Sequence, residues 1–347
     1  MKQYIHNCSS NEVRAYIVKH GGESYHTTQL FEWLYKKNVR SWDQMTNIPQ
    51  TLREQLKKDF FLFSLTIEQI YQSREGDSLK YLFSTADGYH IETVLIKSQR
   101  RRTLCLSTQV GCKYRCSFCA SGKGGFIRNL SVAEEVDQFL LVQNHIGKKV
   151  TNVVFMGMGE PLDNYDTTIQ TIKVLTREWG IALSERRITV STVGLIPAID
   201  KFSREGFSQV KLSVSLHATS NEKRKKIMPI AKRYPLKELI ALLKKVRKRF
   251  KRTITLEYIL MKGFNDAPRD AHEIARIAKD VGAKINLIGY NAIKGDTLHV
   301  SRRHDMVCFR KRLDGLGAQT TIRYSAGTDI TAACGQLRLL TIKQNNL

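Results

Sequence analysis

Prolines number only six in this 347-residue chain, carboxylates only 32 against 56 lysines and arginines, and no apolar run approaches the roughly 20 residues that span a bilayer. Each shortage excludes a class. So few prolines, with 42% apolar and 25% charged residues, rule out a collagenous or disordered chain. The missing apolar run, and a polar start at Met1-Lys2-Gln3-Tyr4-Ile5-His6-Asn7 without a signal peptide's apolar centre, predict a cytoplasmic protein with no membrane partner. In that reducing compartment the seven cysteines, an odd number, make no disulfide framework and are better placed to ligate metal, react or pack. The shortage of carboxylates leaves a net charge of +24. That excess points to a polyanionic partner, because Lys and Arg that displace phosphate counterions supply most non-specific nucleic-acid affinity.

Residues 1–75 read as helical, from the apolar spacing in Glu12–Val18 and Thr28–Tyr35. Over 76–100 the period shifts to two, giving a linking β-hairpin with strands at Leu79–Ser84 and His90–Ile96 around Ala86-Asp87-Gly88. From 101 to 347, β-rich runs alternate with helical patterns. The runs are Thr103–Thr108, Asn152–Phe155, Arg187–Ser191, Val210–Leu216, Thr253–Leu260 and Lys284–Tyr290, with a last strand at Gln319–Tyr324. The helical patterns fall near 131–146, 166–178, 195–204, 235–249, 269–281 and 303–314. Six such units imply an α/β fold with a parallel sheet, either doubly wound or curled into a partial barrel. In a barrel, chemistry sits where strands end and helices begin.

The densest chemical signal follows the first of these strands: Gly111-Cys112-Lys113-Tyr114-Arg115-Cys116-Ser117-Phe118-Cys119-Ala120, a CxxxCxxC spacing. A structural zinc site closes with four ligands, usually as spaced pairs, and no second pair exists here. Three thiolates suit a [4Fe-4S] cluster with one iron open to a small-molecule ligand. Gly157-Met158-Gly159-Glu160 closes the second strand, where glycines admit a ligand close to the backbone and a carboxylate can meet an ammonium group. Ser191, Ser215, His217 and Asn291 stand at further strand ends; each alone reads as a cap or a satisfied polar group. Cys334 and Cys105 alone read as packing thiols, and Glu92 alone as an exposed strand carboxylate.

CxxxCxxC is the signature of the radical S-adenosylmethionine (SAM) superfamily. Together with Ser107-Thr108-Gln109-Val110, Phe126-Ile127-Arg128-Asn129-Leu130, Phe155–Leu162 and Ala333-Cys334-Gly335-Gln336-Leu337, it resembles the RlmN/Cfr family of RNA adenine methyltransferases, over about Glu92 to Leu337. The resemblance implies a partial (β/α)6 barrel behind a small helical N-terminal RNA-binding domain, with a C-terminal extension carrying Cys334. It implies a [4Fe-4S] cluster on Cys112, Cys116 and Cys119, and SAM, two per turnover, held by Gly159, Glu160, Ser191, Ser215, His217 and Asn291. It also implies that Cys334 accepts a methyl group from a first SAM, that a radical generated from a second SAM activates that group toward adenine, and that Glu92 is the general base. A disulfide between Cys105 and Cys334 then releases the RNA.

The implied reaction is methylation of carbon 2 of an adenosine in 23S ribosomal RNA, with adenosine 37 of tRNA as a further substrate, by a monomer served by flavodoxin or ferredoxin. Pro161 after Gly-Met-Gly-Glu favours the carbon 2 (RlmN) branch, while Gly289 and Ala292 depart from its pattern. The alternatives are a Cfr-type carbon 8 enzyme that confers antibiotic resistance, and an RNA-binding assembly factor with a structural metal. Cys8 and Cys308 match nothing and read as packing or free thiols. Among the basic clusters, Lys244, Lys245, Lys248, Arg249 and Arg252 are expected to form one positive helical face toward RNA.

Overall fold

The computed structural model describes residues 2–293 and 297–338. Strand β1 (Gln3–Tyr4) precedes helix α1 (Ser10–Lys19), which starts at a capping box: Ser9 Oγ accepts the Glu12 N–H, and the Glu12 carboxylate accepts the Ser9 N–H at 2.7 Å. Helices α2 (Ser24–Phe31) and α3 (Gln50–Asp59) follow, and β2 (Phe60–Phe61) pairs in parallel with β1. The expected helical segment therefore stops at Asp59. Leu65–Gln72 is strand β3, and its period of two escapes notice because the register slips between Ile67 and Gln69, a bulge that shifts the alternation midway.

Strands β3, β4 (Ser78–Thr85), β5 (His90–Ser98) and β6 (Arg101–Leu106) are antiparallel neighbours, so the expected hairpin is built into the main sheet. A small separate ribbon, β7 (Gln109–Gly111) with β8 (Phe126–Asn129), flanks the short helix α4 (Ala120–Lys123). The chain then alternates: α5 (Val132–Ile146), β9 (Asn152–Phe155), α6 (Tyr165–Thr176), β10 (Ile188–Thr192), α7 (Ile196–Phe202) and β11 (Lys211–Ser215). After α8 (Asn221–Ile227) and α9 (Leu236–Val246) come β12 (Thr255–Leu260), α10 (Pro268–Val281), β13 (Lys284–Gly289), α11 (Arg303–Gly315) and β14 (Thr320–Arg323). No helix among the described residues is long and apolar enough to cross a membrane.

The ten-stranded sheet runs β14-β13-β12-β11-β10-β9-β6-β5-β4-β3. Its seven parallel strands, β6 and β9 to β14, never reverse order, so there is no switch point and the doubly wound alternative is excluded. Right-handed crossovers taken in one direction place the helices on one face and curl the sheet into an open, partial barrel. Strand pairing carries side-chain parity from strand to strand: Val94 opposes Cys105, Cys105 opposes Val154, Ser191 opposes Ser213, Glu257 opposes Asn286 and Ile288 opposes Arg323. Glu92, Cys105, Ser191, Ser215 and Arg323 thus share the concave face.

Helix α5 fastens the N-terminal helices to the barrel. Asn38 Nδ2 donates to the Leu140 carbonyl at 2.8 Å, Asn7 Oδ1 accepts the Ala133 N–H, and Ser64 Oγ donates to Asp137 at 2.7 Å. Asp137 is fully buried, and desolvation pushes its carboxyl up to about 7. Because its folded-state value exceeds the unfolded one, the proton-linked stabilisation is present at low pH and is lost as pH rises toward 7. Asp137→Asn mimics the protonated form. The difference in unfolding free energy, variant minus wild type, should become more favourable from pH 4 to pH 7 by up to about 4 kcal/mol at 1.36 kcal/mol per unit. Denaturant melts across that range check this, and a pH-independent difference contradicts the assignment.

Candidate active site

At the C-terminal ends of the parallel strands an open cavity of about 850 Å³ is lined by Cys112, Cys116, Cys119, Gly157, Gly159, Glu160, Ser191, Ser215, His217 and Cys334. The cysteine loop is fixed at its root. Gly111 has φ +78°, and a Cβ there would lie 2.0 Å from the Gly125 carbonyl oxygen, so no other residue fits. The Cys112 N–H donates to that same carbonyl at 2.6 Å, and the Ser117 N–H donates to Ile227 O at 3.0 Å. Burial pushes the Cys112 thiol up to about 12, Cys116 well above its ordinary value, and Cys119 upward. Such thiols stay neutral until a cation draws off their protons.

Among the described residues no three His, Cys, Asp or Glu side chains converge on one metal-ion position. Three thiols lining one cavity match the donor set of a cluster in which each sulfur binds a different iron and one iron stays open, whereas a structural zinc needs four donors and the cavity lining offers no second cysteine pair. The donor set therefore fits a [4Fe-4S] cluster.

Beside it, Gly159 (φ +99°) lines the cavity, and a Cβ there would lie 2.6 Å from Gln109 Cβ, so close packing on Gln109 requires glycine. The buried Glu160 carboxylate accepts the Val193 N–H at 2.8 Å and the Leu162 N–H at 3.1 Å, and desolvation pushes it up to about 7. His217 Nδ1 accepts the Ile259 N–H at 3.1 Å, which assigns the ring proton to Nε2; burial lowers its pKa to about 3 and keeps it neutral. Asn291 is not among the cavity-lining residues. Its Nδ2 donates to the Cys334 carbonyl at 3.0 Å.

Cys334 belongs to a segment clamped on the cysteine loop: the Ala120 N–H donates to Gly335 O at 2.7 Å, and Ser121 Oγ donates to Leu337 O at 2.6 Å. It lines a second open cavity of about 1030 Å³ together with Cys105, whose thiol burial raises to about 12. All seven cysteines are free thiols. Glu92 overturns its reading as an exposed carboxylate. It is 2% exposed, paired to Lys80 Nζ at 2.8 Å and capped by the Arg338 N–H at 2.8 Å, outside both cavity linings.

Three neighbours escape the sequence reading. Arg323 lines both cavities and donates to Met156 Sδ at 3.3 Å; the only hint is its parity in the last strand. Lys80 shares a face with Glu92 across the hairpin. Arg224, hidden in the basic run 223–226, is fully buried and donates to the Val193 and Ser215 carbonyls. The expected positive face over 244–252 does not form: α9 ends at Val246, Lys244 pairs with Asp280, Arg249 pairs with Asp200, and Arg247 donates to the Gly282 and Phe250 carbonyls.

The chain matches the family profile described as Radical SAM superfamily over residues 106–297, and that of the Ribosomal RNA large subunit methyltransferase N-terminal domain over residues 4–62. A probable dual-specificity RNA methyltransferase RlmN 2 from Protochlamydia amoebophila is 43% identical, covering 93% of this chain and 91% of the relative. A probable dual-specificity RNA methyltransferase RlmN from Dictyoglomus turgidum is 41% identical over 96% of each. The crystal structure of a radical SAM methyltransferase from Sphaerobacter thermophilus superposes with a TM-score of 0.92 at 40% identity, covering 97% of this chain and 99% of that one. A [4Fe-4S] cluster and SAM are the cofactors of this superfamily. With the three-thiol cavity, the barrel and these likenesses in agreement, the chain belongs to the radical SAM superfamily and, within it, to the RlmN family.

Proposed function

We propose that this chain is a radical SAM methyltransferase that adds a methyl group to carbon 2 of an adenosine in 23S ribosomal RNA, at the peptidyl-transferase centre, and to adenosine 37 of tRNA. One observation carries the reading: Cys334 faces both the cavity of the three cysteines and the cavity it shares with Cys105. Relatives named RlmN along nearly the full length support carbon 2 over carbon 8.

Carbon 2 of adenine is electron-poor and offers no lone pair to an electrophilic methyl group, so a radical route is required. When held by Cys112, Cys116 and Cys119, the cluster supplies the electron for reductive cleavage of SAM. Glu160, oriented by two backbone N–H groups, receives the ammonium group of SAM, with the Gly159 backbone lining the same cavity beside it. Ser191, Ser215 and His217 Nε2–H add polar contacts along the same rim, while Asn291 acts through the Cys334 carbonyl. Cys334 carries the methyl group on Sγ and delivers its carbon to the base. Glu92 takes the ring proton once the Arg338 N–H has moved off its carboxylate. Cys105, as its thiolate, attacks Cys334 Sγ, forming the disulfide; the electron pair of the broken carbon–sulfur bond goes to the methylene carbon on adenine, which takes up a proton to complete the methyl group.

The helical part that ends at Asp59 serves as the RNA-handling appendage, while β3 to β5, which extend the sheet and carry Glu92, join 101–347 in the reacting part. The end of that last span, 339–347, lies outside the described residues. Flavodoxin or ferredoxin supplies the electron, and the enzyme works as a cytoplasmic monomer.

Mass spectrometry of digested RNA should place the new methyl group on carbon 2, and methyl on carbon 8 alone refutes the assignment. Cys334→Ala should abolish methyl transfer while 5′-deoxyadenosine is still released from SAM; retained methylation contradicts the role of Cys334. Cys105→Ala should hold turnover to at most about one per enzyme and accumulate protein cross-linked to RNA through Cys334, read as a shifted band on a denaturing gel.

A further inference from the structure

Parallel strands begin together as well as end together, and the rim where they begin has its own composition. Arg101 and Lys211 open β6 and β11, Lys284 opens β13, Arg187 immediately precedes β10, and Arg252 stands three residues before β12. The pairing of Thr189 with Lys211, of Ser213 with Thr255 and of Thr255 with Lys284 staggers these cations by about two residues from strand to strand, all on the concave side near the strand starts. Neighbouring strands lie about 4.8 Å apart, so the cations from β6 to β13 follow about 24 Å of arc around the curved sheet.

These cations repel one another: Arg252, Lys284, Arg101 and Arg187 all act, with burial, to lower the pKa of Lys211. Arg187, Lys211 and Lys284 are half-buried, where a charge without a counter-ion is costly. None of the five forms an ion pair with a described residue: Glu185, at the same rim, accepts the Gln209 N–H at 3.2 Å, Asp200 is paired with Arg204 and Arg249, and Asp280 with Lys244 and Arg276. Glu257, one layer up the concave face, is hydrogen-bonded by Ser213 and Asn286, and burial raises its pKa. Lys148 and Lys149, on the loop into β9, extend the same rim.

We propose that the strand-start rim of the barrel is a second RNA-contact surface, one that holds backbone phosphates of the folded substrate at a distance from the base that reacts. It rests on the RNA reading of the catalytic rim. Five cations spread over the strand starts around this mouth of the barrel, exposed at Arg101 and Arg252, fit a polyanion with several phosphates better than a single small anion. An acidic electron carrier has to approach the cysteine loop, which lies at the opposite rim, a strand length of roughly 13 to 20 Å away. Contacts of this kind position RNA without reading its sequence.

The test compares a long, folded 23S RNA fragment with a short stem-loop that carries the target adenosine. Binding is measured by fluorescence anisotropy across a salt series for wild type, Arg187→Gln/Lys211→Gln/Lys284→Gln and the exposed pair Arg101→Gln/Arg252→Gln. The triple variant should weaken long-RNA binding by at least about tenfold and reduce the slope of log K against log salt by about one per removed cation. The exposed pair, which cannot act through misfolding, should shift the slope in the same direction. Stem-loop binding and methylation should be unchanged, and the melting temperature should not fall, since repulsion is being removed. Unchanged long-RNA affinity and slope in both variants overturn the inference, and so does an equal loss on the stem-loop. If wild type binds neither RNA, the RNA reading itself fails and takes the inference with it.

Discussion

Seven neighbouring strands running in one direction, in registers that conserve side-chain parity, constrain nearly everything chemical in this molecule. Direction gathers the loops that carry Cys112 to Cys119, Gly157 to Glu160, and His217 at one rim. Parity turns Cys105, Ser191, Ser215 and Arg323 onto the concave face, although they come from strands far apart in sequence. A one-residue slip in any of these strands would exchange its polar residues for the valines and leucines that pack under the helices. Correct apolar burial on the convex face therefore enforces correct chemistry on the concave one.

Burial sets the protonation of the groups thus gathered. The cluster thiols, Cys105, Glu160 and His217 are all shifted toward their neutral forms by desolvation. The protein itself keeps little charge on these groups, and a cationic metal core or an ammonium group favours the anionic forms of the cluster thiols and of Glu160. Arg224 contributes differently: its guanidinium ties the Val193 and Ser215 carbonyls together beneath the rim, and Val193 also orients Glu160 through its N–H.

Local pattern carried much of this into the sequence. Asn152–Phe155 is a strand with the expected bounds, and the other barrel strands start or stop within a few residues of where alternation and turn residues put them. The cysteine spacing and the glycines of 157–160 were equally legible, because backbone approach demands those residue types. What could not be read depends on remote partners. The bulge in β3 hides its period; Glu92 looks exposed until Lys80 and Arg338 close over it; Arg224 looks like its solvated neighbours; and the 244–252 run breaks because Asp200, Asp280 and two backbone carbonyls draw its side chains apart.

Cys334 borders two cavities while the residues after it are pinned to the cysteine loop through Gly335 and Leu337. A sulfur so placed changes cavities by turning about its own side-chain bonds, with the main chain held still. Side-chain rotation takes picoseconds to nanoseconds, whereas loop or domain rearrangement takes microseconds to milliseconds. In the proposed scheme the transfer between cavities then sets no limit on turnover, and the slow motions are left to the RNA and to the withdrawal of Arg338 from Glu92.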